Sequence, residues 1–363
     1  MKGASTIMCD HLSPNGLGNK PLRPKIIETI SEGEETAAQF REEILQRLSS
    51  KTTDSVPASE EATAISWSKS LPMRILYEFN GIEYYEAITY YDPYYLYTEE
   101  KHLLDENSDN IIDLQLEQLQ NRLTSLVESF SQESEQDGTI NWKSQLSVNG
   151  ICGTYSAALG AFSNLQTANK TASAVAGGRR CYLWLGSSLT NMTPNEVVEF
   201  LRDLSQEHMR PQDSVLIGVD TCQILEKVGA AYSDTSSAWK EYIYNGLKST
   251  GRVIGDTKGV FTNSENWVYV ARWDDRRKSH MRFVRSNTEM DLETLSKAQS
   301  YQAGITTPIK IEKSEHILVG ESRKFKVEEL EAMFDRAGLA VCRRWGDRSG
   351  HSDASLFLLK KGI

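Results

Sequence analysis

The stretch 181–220 most constrains the fold, because a strand, a helix and a second strand follow one another closely. CYLWL (181–185) and SVLIGVD (214–220) are continuous apolar runs, typical of strands buried on both faces of a parallel sheet. Between them, TPNE (193–196) predicts a helix start, with a capping box and proline at the first helical position. Two parallel strands joined by a helix form a right-handed βαβ unit. We therefore predict an α/β fold.

Other segments extend this prediction. SVNGICG (147–153) is expected to add a strand to the same sheet. Near the C-terminus, KVEELEAMFDRAGL predicts a helix closed by Gly338, and LAVCRRW and ASLFLLKK predict an antiparallel hairpin. WVYVARWDDRRKSHMRFVRS (267–286) has the alternation of a second hairpin. We assign this hairpin to a second lobe inserted into the sheet domain.

The chain of 363 residues exceeds one typical domain, so we divide it into five segments. The N-terminal segment is polar and is predicted to be disordered. Two segments contribute to a substrate lobe, and two contribute to a Rossmann-like core. In chain order they are 1–24 (disordered), 25–99 (substrate lobe, first part), 100–225 (core), 226–320 (substrate lobe, second part) and 321–363 (return to the core).

Charge and composition exclude several functions. A net charge of −10 argues against a nucleic-acid partner, which needs a basic face. No apolar run is long enough to cross a bilayer, and the N-terminus lacks the apolar region of a secretory signal. The five cysteines and six histidines are scattered without metal-ligand spacing. We expect a cytoplasmic protein, a monomer, with a small-molecule substrate, no membrane or nucleic-acid partner and no metal.

The segment YYEAITYYDPYYLY (84–97) holds seven of the fifteen tyrosines of the chain. Several must pack in the core, yet buried hydroxyls need partners, so some ligand contact is expected. Asn191 follows the strand at 181–185, where open α/β sheets bind ligands, although a turn asparagine can also satisfy its own backbone. Asp220 ends the next strand, and a lone acid there more often caps the following segment.

Motifs in chain order reveal a family. The segment SLPMRILYEFNGIEYYEAITYYDPYYLYTEEKHLL resembles the opening motif of the ergothioneine-pathway histidine-specific N-methyltransferases, which use S-adenosylmethionine. Fungal branches of this family act on tryptophan, as in fungal secondary metabolism. The resemblance implies a Rossmann-like class I methyltransferase sheet with an inserted α+β substrate-binding lobe. Its other motifs are GICGTY (150–155), LGSSLTN (185–191), GVD (218–220), AYSD (231–234), YNGL (244–247) and SRKF (322–325).

The resemblance also implies roles for individual residues. Tyr77 would close the substrate pocket, and Tyr94 and Asn191 would bind the carboxylate and α-amine of an amino acid. Tyr85 would pack beside the amine, and Tyr232 would line the pocket. We take Tyr77 and Asn191 as the catalytic pair. The implied contacts to the cofactor S-adenosylmethionine are Asp113, Gly153, Thr154, Tyr155, Gly186 and Ser187.

One departure from the family concerns the substrate. Histidine-specific members bind the imidazole with a glutamate and a serine two residues later. Here Ser322 keeps the serine, but Gly320 replaces the glutamate, and Glu321 would point to the other face of a strand. Losing the acid and gaining space favours L-tryptophan, giving N-methyl- and N,N-dimethyl-tryptophan, with L-histidine as the alternative. Arg282 falls where bacterial members carry methionine, and the sequence offers no account of it.

A second departure concerns the cofactor. The family's first sheet strand ends in a glycine-rich turn that carries the cofactor's carboxypropyl chain. In this sequence DENSDNIID (105–113) runs directly into LQLEQLQNRLTSLVESF, so that strand, turn and helix are missing. Because about one βαβ unit of roughly thirty residues is lost, the activity of this exact chain is open. The alternative to an enzyme is a catalytically dead relative.

Overall fold

The computed structural model describes residues 25–28, 34–57, 64–77, 79–108, 110–111, 149–152, 180–292, 309–346 and 353–362. The chain forms two compact units. The larger unit contains residues 1–5, 30–100 and 173–363, and the smaller contains 6–29 and 101–172. The five-segment division of the sequence remains a prediction, and its disordered segment 1–24 lies outside the described residues.

In the smaller unit, β1 (Lys25–Glu28) pairs in parallel with β4 (Asn149–Cys152). The strand predicted at 147–153 is thus confirmed. Its predicted place in the sheet of 181–220 is wrong, because its pairing partner is β1 in a separate two-stranded sheet.

The predicted βαβ unit is confirmed in the larger unit. β5 (Cys181–Trp184) and β6 (Ser214–Asp220) are parallel, and the helix between them begins with the predicted capping box. The predicted C-terminal helix is also present, and Gly338, with a φ of 75°, lies two residues beyond its last residue. The terminal hairpin then adds two antiparallel strands, which gives the order β12-β13-β6-β5. The new elements are α4 (Pro194–Asp203), α7 (Val327–Arg336), β12 (Leu339–Trp345) and β13 (Ala354–Lys361).

The two parallel strands differ in burial. Every residue of β6 is buried, as predicted. The prediction that CYLWL is buried on both faces is wrong, because Cys181 is exposed and Leu183 is 65% exposed. The reason is position: β5 is the edge strand of the sheet formed by the described residues.

A second sheet of the larger unit has five strands in the order β2-β3-β11-β8-β7. The hairpin predicted over 267–286 is confirmed as its antiparallel β7–β8 pair. Strand β11 lies between β3, to which it is parallel, and β8, to which it is antiparallel. The strands are β2 (Asp54–Val56), β3 (Ile65–Ser70), β7 (Trp267–Asp274), β8 (Ser279–Ser286) and β11 (His316–Arg323). A small antiparallel pair, β9 (Met290–Leu292) and β10 (Ile309–Ile311), accompanies them.

Helices of the larger unit pack against the five-stranded sheet and share one apolar core with it. The tyrosine segment lies here, in α2 and at the start of α3. These helices are α1 (Glu34–Leu48), α2 (Phe79–Thr89), α3 (95–108, of which only 95–100 belongs to this unit), α5 (Leu225–Ala231) and α6 (Ser237–Ile254). None of the described helices is long and apolar enough to span a membrane.

Candidate active site

Asp220 ends β6 inside the larger unit and holds several groups together. The Tyr95 hydroxyl donates to both carboxylate oxygens, at 3.1 and 3.0 Å. The Cys222 N–H donates to Oδ1 at 3.0 Å, so Asp220 does cap the following segment as predicted. It also forms an ion pair with Lys324, the residue directly after β11. Asp220 therefore links the end of one sheet to the end of the other.

Lys324 is a buried cation with a defined set of partners. The side chains of Lys324 and Asp220 are each only 1% exposed. Burial opposes the charged form of Lys324, but the Asp220 carboxylate and the Tyr232 hydroxyl together outweigh it and raise the pKa of the ammonium. Its Nζ also donates to the Tyr232 hydroxyl at 3.3 Å. Because a buried charge is costly unless it is paired, this ion pair holds the C-terminal ends of β6 and β11 next to each other.

Five aromatic side chains form a cluster that we call the aromatic box. The hydroxyls of Tyr85 and Tyr94 lie 3.2 Å apart. The Tyr94 ring meets those of Tyr232 and Trp239 edge to face, at 6.1 and 6.0 Å between centroids. Burial raises the pKa of Tyr85, Tyr94 and Tyr242, so these hydroxyls stay neutral at physiological pH. The members of the box are Tyr85, Tyr94, Tyr232, Trp239 and Tyr242.

Arg282 projects from β8 into this box. Arg282 is only 3% exposed. The guanidinium carbon lies 5.2 Å from the centre of the Tyr232 ring and 5.5 Å from that of Trp239. Its Nη1 donates to the Ser322 hydroxyl at 3.0 Å, whereas the buried Nε has no hydrogen-bond partner among the described residues. The box thus consists of neutral aromatic side chains, with two cations, Arg282 and Lys324, over its Tyr232 ring.

Asn191 is joined to the same group. It ends a short 3-10 turn (Ser188–Asn191) after β5, as expected for a ligand-binding amide at the carboxyl end of a strand. The Ser322 hydroxyl donates to Asn191 Oδ1 at 3.1 Å, so Asn191, Ser322 and Arg282 form one hydrogen-bonded chain. The structure therefore brings together the predicted site residues Tyr85, Tyr94, Asn191, Tyr232 and Ser322.

Gly320 lies beside Arg282, its cross-strand partner. A Cβ at position 320 would lie 2.8 Å from Arg282 Nη2 and 3.1 Å from Nε. The prediction that Gly320 leaves extra space is therefore wrong, because the Arg282 guanidinium fills that space. Glu321 points to the other face of β11, as predicted, where it accepts from the Ser279 hydroxyl at 2.8 Å and pairs with Arg323.

Tyr77 follows a 3-10 turn (Met73–Leu76) and is 55% exposed. Burial raises the pKa of the Tyr242 phenol, and Tyr77 lies close enough to raise it further by an electrostatic interaction. Tyr77 thus lies at the rim of the box rather than inside it. Tyr90 and Tyr97 are 76% and 51% exposed, so these two tyrosines of the segment 84–97 do not pack in the core.

The cofactor contacts are described only in part. Gly186 has a φ of 83°, and a Cβ there would meet no atom within 4 Å, so the turn after β5 presents open backbone that a cofactor can approach. The Gly186 N–H donates to both oxygens of Glu100, and the Ser187 hydroxyl accepts from the Asp220 N–H at 2.8 Å. The remaining predicted contacts, Asp113, Gly153, Thr154 and Tyr155, lie outside the described residues.

Sequence reasoning missed several members of the site. The sequence predicts Asp220 as a cap but does not predict its ion pair with Lys324, although Lys324 belongs to the SRKF motif. Arg282 gave no signal except its departure from the family. Trp239, Tyr242 and His280 gave none, because their places depend on tertiary packing; the His280 ring stacks on Tyr232 with centroids 4.9 Å apart.

The fold is an α/β fold of the kind that S-adenosylmethionine-dependent methyltransferases have. It contains a parallel β–α–β unit and a terminal helix with an antiparallel hairpin, and its polar site lies at the carboxyl ends of the strands. The chain belongs to the histidine-specific, S-adenosylmethionine-dependent methyltransferase family, whose model matches residues 40–131 and 111–361. It is accordingly an amino-acid N-methyltransferase by family, with S-adenosylmethionine as cofactor.

Three relatives place the chain within this family. It is 24% identical to the N-methyltransferase imqF of Aspergillus flavus over 314 residues, 78% of this chain and 79% of that protein. It is 23% identical to the 4-dimethylallyltryptophan N-methyltransferase easF of Arthroderma benhamiae over 346 residues, 88% of this chain and 97% of that protein. It is 25% identical to ergothioneine biosynthesis protein 1 of Neurospora crassa over 304 residues, which cover 76% of this chain but 32% of that protein.

Proposed function

We propose that this protein transfers methyl groups from S-adenosylmethionine to the α-amine of an aromatic amino acid, L-tryptophan first. The observation that carries the proposal is the aromatic box beside Asn191, with no carboxylate at position 320 on the strand that borders it. An indole ring suits an uncharged aromatic enclosure, in which edge-to-face contacts stabilise it. The relative named for 4-dimethylallyltryptophan adds support.

The chemistry asks little of the protein beyond positioning. When bound, S-adenosylmethionine supplies an activated methyl group. The protein must hold a neutral amine about 3–3.5 Å from that methyl carbon and in line with it. We assign this task to the Tyr94 hydroxyl and the Asn191 amide, with Tyr85 beside the amine, Tyr232 in the pocket and Tyr77 at its rim. The phenols stay neutral because burial raises the pKa of Tyr85 and Tyr94, so they can accept from or donate to the amine without adding a charge.

L-Histidine is the second candidate substrate. Ser322 is retained, its hydroxyl is buried at the same wall, and one relative is named for ergothioneine biosynthesis. Against histidine, Gly320 carries no acid to pair with an imidazole, and Glu321 contacts Ser279 and Arg323 on the other face.

The class I sheet is proposed to lack its first strand and glycine turn. The position of β5 as an edge strand of the described sheet, with Leu183 exposed, supports this. In the same proposal Asp113, Gly153, Thr154, Tyr155, Gly186 and Ser187 hold the cofactor. If the loss removes cofactor binding, the chain is a non-catalytic relative.

Two measurements on the full chain test the proposal. Calorimetry with S-adenosylmethionine is expected to show binding, and absence of binding at millimolar cofactor would refute the enzyme reading of this chain. Incubation with L-tryptophan or L-histidine, followed by mass detection of products heavier by 14 Da per methyl group, identifies the substrate. Faster methylation of histidine would overturn the preference for tryptophan.

A further inference from the structure

Arg282 is a buried cation without a counter-ion among the described residues. Within the part of the chain that the structure describes, its guanidinium bonds only to the neutral Ser322 hydroxyl, and Nε has no partner. Two acids at the ends of β6 and β11 are engaged elsewhere: Asp220 pairs with Lys324, and Glu321 pairs with Arg323 at 2.8 Å. A buried charge is costly unless it is paired, and mutations that leave a buried charge unpaired strongly destabilise the folded protein.

The residues around Arg282 favour a bound ligand, rather than solvent, as the partner of its guanidinium. The guanidinium carbon lies 5.2 and 5.5 Å from the ring centres of Tyr232 and Trp239, both members of the aromatic box. Its positive charge also acts to lower the pKa of Tyr85 and Tyr94, against the larger effect of burial. Arg282 therefore lies among the residues proposed to bind the substrate, and its Nε–H has no partner among the described residues.

We propose that Arg282 is the carboxylate-binding group of the pocket and selects substrates that carry a carboxylate. A guanidinium offers a planar set of donors that matches a carboxylate, and such charge-assisted hydrogen bonds are stronger than neutral ones. The Ser322 hydroxyl accepts from the guanidinium and donates its own proton to Asn191 Oδ1, so it orients Arg282 and leaves the carboxylate to the remaining guanidinium donors. The inference rests on the proposed function, because it names how that substrate is held.

The carboxylate can come from the α-carbon or from the substrate side chain, and ligands separate the two. Calorimetry of the full chain compares L-tryptophan, tryptamine (which lacks the carboxylate), indole-3-propionate (which lacks the amine) and L-glutamate. The α-carboxylate is the source if L-tryptophan binds at least about tenfold tighter than tryptamine. A side-chain carboxylate is the source if L-glutamate binds tighter than L-tryptophan.

The variants assign the preference to Arg282. In R282M the advantage of the carboxylate ligands over tryptamine is expected to disappear, whereas R282K keeps part of it because the charge remains. The matched control is R285M, which removes an arginine from the same strand three residues on, where the side chain is half-buried. Circular dichroism shows whether each variant folds. If R282M does not fold, R282K and the ligand comparison on the unaltered chain decide.

The inference is overturned if the unaltered chain binds tryptamine as tightly as every carboxylate ligand, or if R282M keeps the full preference. Its failure is separable from that of the proposed function. A carboxylate preference that depends on Arg282 in a chain that binds no S-adenosylmethionine supports the inference and refutes the enzyme. Equal methylation of tryptophan and tryptamine does the reverse.

Discussion

Gly320 and Arg282 face each other on β11 and β8, and the guanidinium of Arg282 lies where a side chain at position 320 would go. The missing acid and the added arginine are therefore one change in the pocket wall. A histidine-binding wall would present a negative charge at this place, and this wall presents a positive one. Substrate preference must depend on both positions together.

A glutamate at position 320 is expected to pair with Arg282 before it contacts any substrate. The G320E variant should therefore lose tryptophan activity without gaining histidine activity, because the two charges cancel within the wall. The double variant G320E/R282M frees the carboxylate and should shift the ratio of kcat/KM values toward histidine. G320A controls for the steric effect of a Cβ. A shift in G320E alone as large as in the double variant would contradict the coupling.

Removal of the Tyr94 hydroxyl should lower activity more than removal of an exposed one. Tyr94 is 5% exposed, and its hydroxyl meets that of Tyr85 at the proposed amine site. Y94F is expected to reduce kcat/KM at least about tenfold, since one positioning hydrogen bond is lost. Y90F, at a tyrosine that is 76% exposed, is the control and should leave kcat/KM unchanged. Equal activities of the two variants would remove Tyr94 from the site.

The elements that the sequence predicted correctly have local causes. The helix at Pro194–Asp203 begins at its capping box, and the hairpins at 267–286 and 339–361 follow from alternation and turn residues. The site residues Asn191 and Tyr94 were placed by motif order. Each of these inferences depends on residues close in sequence or on a matched pattern.

The features that escaped prediction depend on distant residues. Asp220 and Lys324 are 104 positions apart, and neither alone indicates an ion pair. Whether Gly320 leaves space for a substrate depends on Arg282, which lies on another strand and 38 positions earlier in the sequence. Exposure of Leu183 depends on which strand pairs with β5, which an apolar pattern does not encode.

The buried ion pair gives a prediction of stability. D220N leaves Lys324 charged and unpaired inside the protein, which is expected to cost about 3–5 kcal/mol of unfolding free energy. The double variant D220N/K324M removes the orphaned charge and should recover part of that loss. Urea denaturation measures each variant. D275N, which breaks the exposed pair of Asp275 with Lys278, is the control and should change little. A D220N protein as stable as D275N would mean that the pair does not form.

His280 predicts how stability responds to acid. Its ring is buried against Tyr232, and burial, followed by the positive charges of Arg282 and Lys324, holds its pKa well below the ordinary 6.5. The unfolded chain takes up a proton near that pH, whereas the folded chain does not. Stability is therefore fully present above about pH 6.5 and falls as the pH drops below it, by up to about 1.4 kcal/mol per pH unit.

The H280Q variant should flatten this slope, as measured by urea denaturation between about pH 7 and 5. Part of the slope remains, because burial also lowers the pKa of His316. H102Q, at an exposed histidine, controls for the loss of any histidine and should leave the slope as it is. An unchanged slope in H280Q would mean that His280 takes up a proton inside the folded protein, next to Arg282 and Lys324. That would place three positive charges around Tyr232, with Asp220 as the only acid paired to any of them among the described residues, so the same result would call for a bound anion beside Tyr232.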